Sequence, residues 1–268
     1  MGARTGYADG TFSWVDLATT DPAAATAFYG TLFGWTPDER RMPDGCSYTV
    51  LRREQQEVAG LYALGATDPA GGEARWNSHV SVADVDAMAA RARALGGTVL
   101  AGPLDFGDRG RLVVVRDPRG SVIYLCQPGR HFGATCVNEP GCLTWNELTT
   151  PDVDALIAFY SGLFGWRIEF LAGMPMPYWV IRVGAPGVLV PSGDNGGLRG
   201  LTAADAGVPS CWLPYFVVAD VTEAGAVAVA AGGTVLAGPA EQPKGRFSLL
   251  RDPQGASFLV FESNKLDP

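Results

Sequence analysis

Histidine, cysteine, positive charge and long apolar runs are all scarce in this 268-residue chain, and each scarcity removes a class of protein. With only His79 and His131 available, and neither an H-E-x-x-H nor a G-x-S-x-G motif, the zinc-protease and serine-hydrolase signatures are absent. The five cysteines, at 46, 126, 136, 142 and 211, are odd in number and lack C-x-x-C spacing. They suggest neither a disulfide framework nor a structural zinc site, and read as thiols of a reducing compartment. Lys and Arg total 20 against 28 Asp and Glu, a formal charge of −8 with no basic run, which opposes binding to nucleic acid or an anionic membrane. The opening segment MGARTGYADGTFSW has no basic-then-apolar leader, and no stretch approaches the roughly 18 apolar residues of a membrane span. A cytoplasmic protein without nucleic-acid or membrane partners is expected. The Gly-rich stretch Ser192–Gly200 lacks both the strand-GxGxxG-helix setting and a P-loop lysine, so it reads as a flexible loop rather than a phosphate cradle.

What the chain does contain is a repeat. The segment WVDLATTDPAAATAFYGTLFGW from Trp14 returns as WNELTTPDVDALIAFYSGLFGW from Trp145 without a gap. Later, GGTVLAGP at Gly96 recurs at Gly232, and RDPRG at Arg116 recurs as RDPQG at Arg251. The same order of elements therefore occurs twice. The spacing places a first domain over 1–130, a linker over 131–141 and a second domain over 142–268, each half long enough to bury a core of its own.

Within the first copy, Phe12–Ala18 reads as a strand and Asp21-Pro22 as a helix start, since Asp caps free N–H groups and Pro suits the first turn. Ala25, Phe28, Tyr29, Leu32 and Phe33 form the apolar stripe of that helix, and Gly34 ends it. Strands are expected in the run at Trp35, at Tyr48–Arg52 and at Val58–Ala63. A second module starts with a strand at His79–Ala83, a helix at Asp84–Leu95 and the stop Gly96-Gly97. It ends with strands at Thr98–Ala101, Arg111–Arg116 and Ser121–Gln127. The second half repeats this, with helices near Val153–Phe164 and Val221–Ala231. Phe28, Phe33, Phe159 and Phe164 are assigned to core packing.

The D-x-x-x-A-x-x-FY-x-x-L-F-G-W helix after a short strand, the strand-ADV-helix-GG opening of the next module and the closing DP-x-G hairpin resemble the vicinal-oxygen-chelate superfamily of glyoxalases, extradiol dioxygenases and bleomycin-resistance proteins. The likeness covers nearly the whole chain and is similar to the actinobacterial tandem-domain, glyoxalase-like or hydroxylase-labelled branch. It implies an α+β fold of two tandem domains, each of two paired βαβββ modules curled into a half-open eight-stranded barrel. It further implies metal ligands on the first strand of each module and on the final strand. Those positions hold Trp14, His79 and Tyr124 in the first domain, and Trp145, Tyr215 and Leu259 in the second. Because a divalent ion needs about three convergent N or O ligands, no metal and no cofactor is expected.

Side chains alternate on a strand, so Trp14, Asp16, His79, Ser81, Tyr124 and Cys126 should line the first cup, and Trp145, Glu147, Leu213, Tyr215, Leu259 and Phe261 the second. Aromatic walls with a few polar groups suit a small hydrophobic or aromatic molecule. His79 held by Asp16 reads as an acid/base group with Tyr124 as oxyanion donor, the competing reading being a satisfied core histidine. Glu147 with Tyr215 reads as a base raised by burial, or else as a buried carboxylate that fixes the sheet. Trp14, Trp145, Tyr48, Cys126, Tyr178, Trp179 and Phe261 are the expected ligand contacts. The loop Gly173–Trp179 is the expected rim, where the first repeat has Asp44–Tyr48. Cys126 has a bland alternative as a small apolar filler, and His131 is expected on the surface of the linker. The leading expectation is a metal-independent enzyme acting on an aromatic or polyketide-like molecule. A non-catalytic antibiotic-binding protein is the first alternative and a metal-dependent glyoxalase or dioxygenase the second. A monomer with pseudo-twofold domain pairing is expected, one chain imitating a homodimer.

Overall fold

The computed structural model describes residues 2–42, 45–66, 68–184, 193–205, 208 and 210–264. Ser192 of the Gly-rich stretch and Asp44 of the first rim lie outside the described residues. In the first half the elements are β1 (Phe12–Thr19), α1 (Pro22–Phe33), β2 (Thr36–Arg41), β3 (Ser47–Arg53), β4 (Gln56–Ala63), β5 (Arg75–Ser81), α2 (Val85–Ala94), β6 (Thr98–Asp105), β7 (Gly110–Arg116) and β8 (Val122–Pro128). The second half repeats them as β9 (Leu143–Thr150), α3 (Val153–Phe164), β10 (Arg167–Phe170), β11 (Tyr178–Arg182), β12 (Asp194–Gly200), β13 (Cys211–Val217), α4 (Val221–Ala230), β14 (Thr234–Gln242), β15 (Gly245–Arg251) and β16 (Ser257–Ser263).

Each half builds one eight-stranded sheet, ordered β2-β3-β4-β1-β5-β8-β7-β6 and β10-β11-β12-β9-β13-β16-β15-β14. In both, two βαβββ modules meet where their first strands pair antiparallel, β1 with β5 and β9 with β13, and the outer strands leave the sheet open. This is the α+β, half-open arrangement that the resemblance implies. Local chemistry explains the helix ends. Asp21 accepts from the N–H of Ala24 at 3.0 Å, Pro22 occupies the first turn, and Gly34 closes α1 at φ 71°, a conformation that disfavours any residue with a Cβ.

The stretch from Asp194 to Gly200 is not a loop but β12, paired with both β11 and β9. Its glycines serve close approach: a Cβ on Gly196 would lie 2.7 Å from the Asn146 carbonyl oxygen, and one on Gly197 would lie 2.0 Å from the Tyr178 hydroxyl.

A larger correction concerns the cores. Among the described residues the two large cores are each shared by both halves. One joins Phe28, Tyr29, Phe33, Trp35 and Trp76 of the first half to Phe216, Val221, Leu250 and Phe258 of the second. The other joins Val80, Val85, Val113 and Leu125 to Leu148, Phe159, Tyr160, Leu163 and Trp166. The first module thus packs on the fourth and the second on the third. Matched contacts seal both seams. Tyr29 donates to Asp252 at 3.0 Å while accepting from Trp76 Nε1 at 2.9 Å, and Tyr160 donates to Asp117 at 2.8 Å while accepting from Trp212 Nε1 at 2.9 Å. The second glycine of each GG pair is the landing place for the opposite phenylalanine, since a Cβ on Gly97 or Gly233 would sit 2.9 Å from Phe159 or Phe28. Phe28, Phe33 and Phe159 are buried as expected, whereas Phe164 is only partly buried.

Residues 129–141, between β8 and β9, are fastened along the first sheet by Ala134 N–H to Ser13 O and Thr135 N–H to Glu57 O, both 2.8 Å. Cys136 and Cys142 pack there with their sulfurs 3.0 Å apart.

Candidate functional site

The concave face of the first sheet carries a polar cluster built by register. Trp14 stands opposite His79 in the β1–β5 pairing, and His79 stands opposite Tyr124 in the β5–β8 pairing. Two residues further along β1, Asp16 pairs with Gly60 on one side and Asn77 on the other. The Asp16 carboxylate is the hub. Its Oδ1 accepts from Asn77 at 2.9 Å and lies 3.1 Å from His79 Nε2. Its Oδ2 accepts from the Tyr48 hydroxyl at 3.1 Å, which itself accepts from Trp14 Nε1 at 2.8 Å. Tyr48 reaches Asp16 across β4 only because position 60 is glycine, where a Cβ would lie 2.0 Å from its hydroxyl oxygen.

Asp16 and His79 are about 95% buried, so both should resist charging, yet each stabilises the charge of the other. Burial raises the Asp16 carboxyl, but the His79 charge and hydrogen bonds from His79, Asn77 and Tyr48 outweigh it and leave the acid below its ordinary value. Burial lowers the His79 imidazole, but Asp16 and the Cys126 sulfur, 3.1 Å from Nδ1, reverse the effect and push it up to about 10. At neutral pH the pair is an imidazolium and a carboxylate. Beside it, Tyr124 is 4% exposed, its ring centroid 4.8 Å from that of His79, and burial and the Asp16 charge push its hydroxyl up to about 12.

The cluster continues toward solvent. Asn77 donates to Tyr62 at 3.1 Å, Tyr62 donates to Asp68 at 3.1 Å, and Arg75 forms an ion pair with Asp68 while donating to Gly71 O at 2.7 Å and Glu73 O at 3.0 Å. Tyr62, Arg75, Leu112 and Cys126 are partly exposed. The opposite side is closed: Trp14 packs with Tyr7, Tyr48, Val50, Ala134 and Val137 and is 3% exposed. His131, expected on the surface, instead sets its ring edge-on to Trp14 at 4.7 Å, with Nδ1 3.5 Å from Glu57. The segment that carries it is tied down along β1, and this draws the ring inward.

The second cup keeps the frame and changes the chemistry. Trp145 Nε1 donates to Tyr178 at 2.9 Å, Tyr178 hydrogen-bonds Glu147, and Gly197 supplies the gap that Gly60 supplies in the first. Tyr215 replaces His79 and donates to Glu147 Oε2 at 2.8 Å; Leu259 replaces Tyr124. Arg199 Nε is 3.9 Å from Glu147 Oε1, but its guanidinium also bonds Asp205 at 3.0 Å. Burial raises the Glu147 carboxyl above its ordinary value, against hydrogen bonds from Tyr215 and Tyr178 and the Arg199 charge.

A profile of the Glyoxalase/Bleomycin resistance protein/Dioxygenase superfamily matches residues 11–125, and one of the glyoxalase-like domain matches residues 145–261. "Putative glyoxylase CFP32" of Mycobacterium tuberculosis is 40% identical over 98% of both chains. The chain belongs to the glyoxalase/bleomycin resistance/dioxygenase superfamily. "Anthracycline biosynthesis protein DnrV" of Streptomyces peucetius is another full-length relative, 32% identical over 96% of this chain and 95% of its own. Among solved structures, a Mn(II)-bound glyoxalase from Novosphingobium aromaticivorans superposes with TM-score 0.64 at 14% identity, covering 98% of this chain and 83% of that one. The 2,3-dioxygenase LapB from Pseudomonas sp. KL28 superposes with TM-score 0.63 at 14% identity, covering 95% and 93%. These two likenesses concern the fold.

The superfamily's chelating positions can be tested directly, because register sets Trp14, His79 and Tyr124 side by side, and likewise Trp145, Tyr215 and Leu259. One imidazole, held beside the Asp16 carboxylate, and two phenols do not make a divalent-metal cage. Among the described residues no three His, Cys, Asp or Glu side chains converge as such a cage would need. The superfamily's metal does not fit the residues at these positions.

Of the other candidates, Tyr48 and Tyr178 are tied into the carboxylate hubs rather than lining open space. Trp179 follows Tyr178 on β11 and so turns to the opposite face, where it meets Phe170 and the shared core. Phe261 sits on the concave face, partly exposed, paired with Phe247 across β15–β16. Asn77, Arg75 and Tyr62 were missed. They follow from period two once β5 is begun at Arg75 and once Gly60-Leu61-Tyr62 is aligned with Gly197-Leu198-Arg199.

Proposed function

We propose that the protein is a metal-independent enzyme whose working site is the first cup, where it activates a carbonyl group of an aromatic, polyketide-like molecule. The observation that carries this reading is the buried His79–Asp16 pair, 3.1 Å between Nε2 and Oδ1, set beside the Tyr124 ring. A cation and a phenol held in a buried wall are preorganised to stabilise negative charge that develops on a carbonyl oxygen. His79 then works as a proton donor and electrostatic stabiliser, because an imidazole held up near 10 is already protonated at neutral pH. Asp16 keeps it charged and oriented. The named role of the DnrV relative in anthracycline biosynthesis supports an aromatic polyketide substrate. The donor set speaks against a route through the superfamily's metal.

The test is turnover against binding in single variants. His79→Gln and Tyr124→Phe are each expected to lower kcat by about 100-fold, the scale of removing one oxyanion donor, with Kd changed far less. Wild-type protein that binds aromatic ketones but yields no product at stoichiometric amounts would leave a sequestering protein, as in the resistance branch, in place of an enzyme.

A further inference from the structure

Beside the first sheet the protein closes the face of Trp14 with a ring of its own. His131 stands edge-on to Trp14 at 4.7 Å and places Nδ1 3.5 Å from Glu57, so one imidazole bridges an indole and a carboxylate. That contact leads the influences that hold the Glu57 carboxyl down at about 2. The second half repeats the indole and the carboxylate. Glu57 lies three residues before Gly60, the register partner of Asp16, and Asp194 lies three residues before Gly197, the register partner of Glu147. Each acid also pairs with an arginine just past a bulge, Glu57 with Arg52 and Asp194 with Arg182. Trp145 and Asp194 therefore correspond to Trp14 and Glu57. Neither histidine of the chain stands between them, and Trp145 is partly exposed where Trp14 is 3% exposed.

Trp145 and Asp194 share a cavity of about 320 Å3, with Tyr7, Phe12 and Asn146 on its other walls and Arg4 as the second charged group. It is separate from the carboxylate hub, since Glu147, Tyr178, Tyr215 and Leu259 do not line it. Asp194 has capacity to accept. Its ion pairs with Arg182 and Lys244 are 3.6 and 3.5 Å long, against 2.6 and 3.1 Å for those of Glu57 with Arg40 and Arg52. A carboxylate offers about four lone-pair sites, and two long contacts leave room for a donor. We propose that this cavity binds a flat nitrogen heteroaromatic, its ring against Trp145 and its ring N–H donating to Asp194, in the place that His131 fills beside Trp14. The volume suits a bicyclic ring better than a bare imidazole. The first half carries no such site because its own histidine occupies the position.

Calorimetric titration of the intact protein at neutral pH with benzimidazole, and with 1-methylbenzimidazole, which lacks the ring N–H, tests this. One site per chain is expected, with Kd for benzimidazole at or below about 1 mM, the scale for a ring of this size. The methyl compound should bind about tenfold more weakly, the scale of one hydrogen bond to a charged group. Asp194→Asn should shrink that preference to about threefold or less, whereas His79→Gln should leave it unchanged. Independently of any change at Asp194, the indole N–H resonance of Trp145, assigned through Trp145→Phe, should shift when benzimidazole is added to the parent protein. Equal affinity for the two rings, a preference that survives Asp194→Asn, or an unmoved Trp145 resonance would each overturn the proposal. So would the absence of binding by either ring at about ten times that Kd.

Discussion

The two cups are the same frame built twice, and they differ where chemistry would occur. Both hold a buried carboxylate fed by a tryptophan–tyrosine relay that crosses a glycine, Trp14–Tyr48–Asp16 over Gly60 and Trp145–Tyr178–Glu147 over Gly197. In the first, a histidine converts the carboxylate into half of an ion pair. In the second, two tyrosines donate to it and burial raises its carboxyl above the ordinary value. The relay is therefore architectural and the partner of the carboxylate is what differentiates the sites.

The sharpest way to break that comparison is to replace the carboxyl group of each cup by its amide. Asp16→Asn strands a buried imidazolium and should cost about 3–5 kcal/mol in urea denaturation, whereas Glu147→Gln keeps an acceptor for Tyr215 and should stay within about 1 kcal/mol of the parent. Equal losses would mean that both carboxylates are ionised and equivalent. A smaller and symmetric effect is expected from the glycines: Gly60→Ala and Gly197→Ala each displace a tyrosine hydroxyl and should each cost about 1–3 kcal/mol. A difference between them would show that the frames are not equivalent.

The pH profile of stability separates the cups at lower amplitude. His79 is raised in the folded protein, so its contribution is fully present below its unfolded value near 6.5 and is lost as pH climbs from there through about 10. Asp16 is lowered, so its contribution is lost only as acid brings the pH down through its depressed folded value. Glu147 is raised, and its contribution is present below its unfolded value near 4.5 and lost as pH rises through the folded one. Subtracting the profile of His79→Gln should therefore remove an alkaline slope, and subtracting that of Glu147→Gln a slope that starts near 4.5. An unchanged alkaline limb in His79→Gln would contradict the ion pair.

Much of this was legible from sequence, for reasons that particular residues make plain. Asp21, Pro22 and Gly34 bound α1 because capping chemistry is local, and α3 runs from Val153 to Phe164 as its repeat implied. Asp16, His79 and Tyr124 share a face because alternation along paired strands is geometric. Partners across the chain were not legible. The stripe of Phe28, Tyr29 and Phe33 states that a face is buried, but nothing local states that Phe258 and Asp252 of the other half bury it. Arg75 and Asn77 escaped because Asn77-Ser78 looks like turn sequence, which moved the start of β5 to His79. The glycines of β12 escaped because glycine usually weakens a strand, and only the bulk of Tyr178 and the Asn146 carbonyl explains them.

The charge of His79 decides the account most directly. With two histidines in the chain, nitrogen NMR of imidazole-labelled protein, with His131→Gln for assignment, reads it without ambiguity. An imidazolium that persists at pH 8 and titrates near 10 is the predicted result. A neutral ring with a midpoint below 7 would contradict the buried ion pair and the chemistry drawn from it.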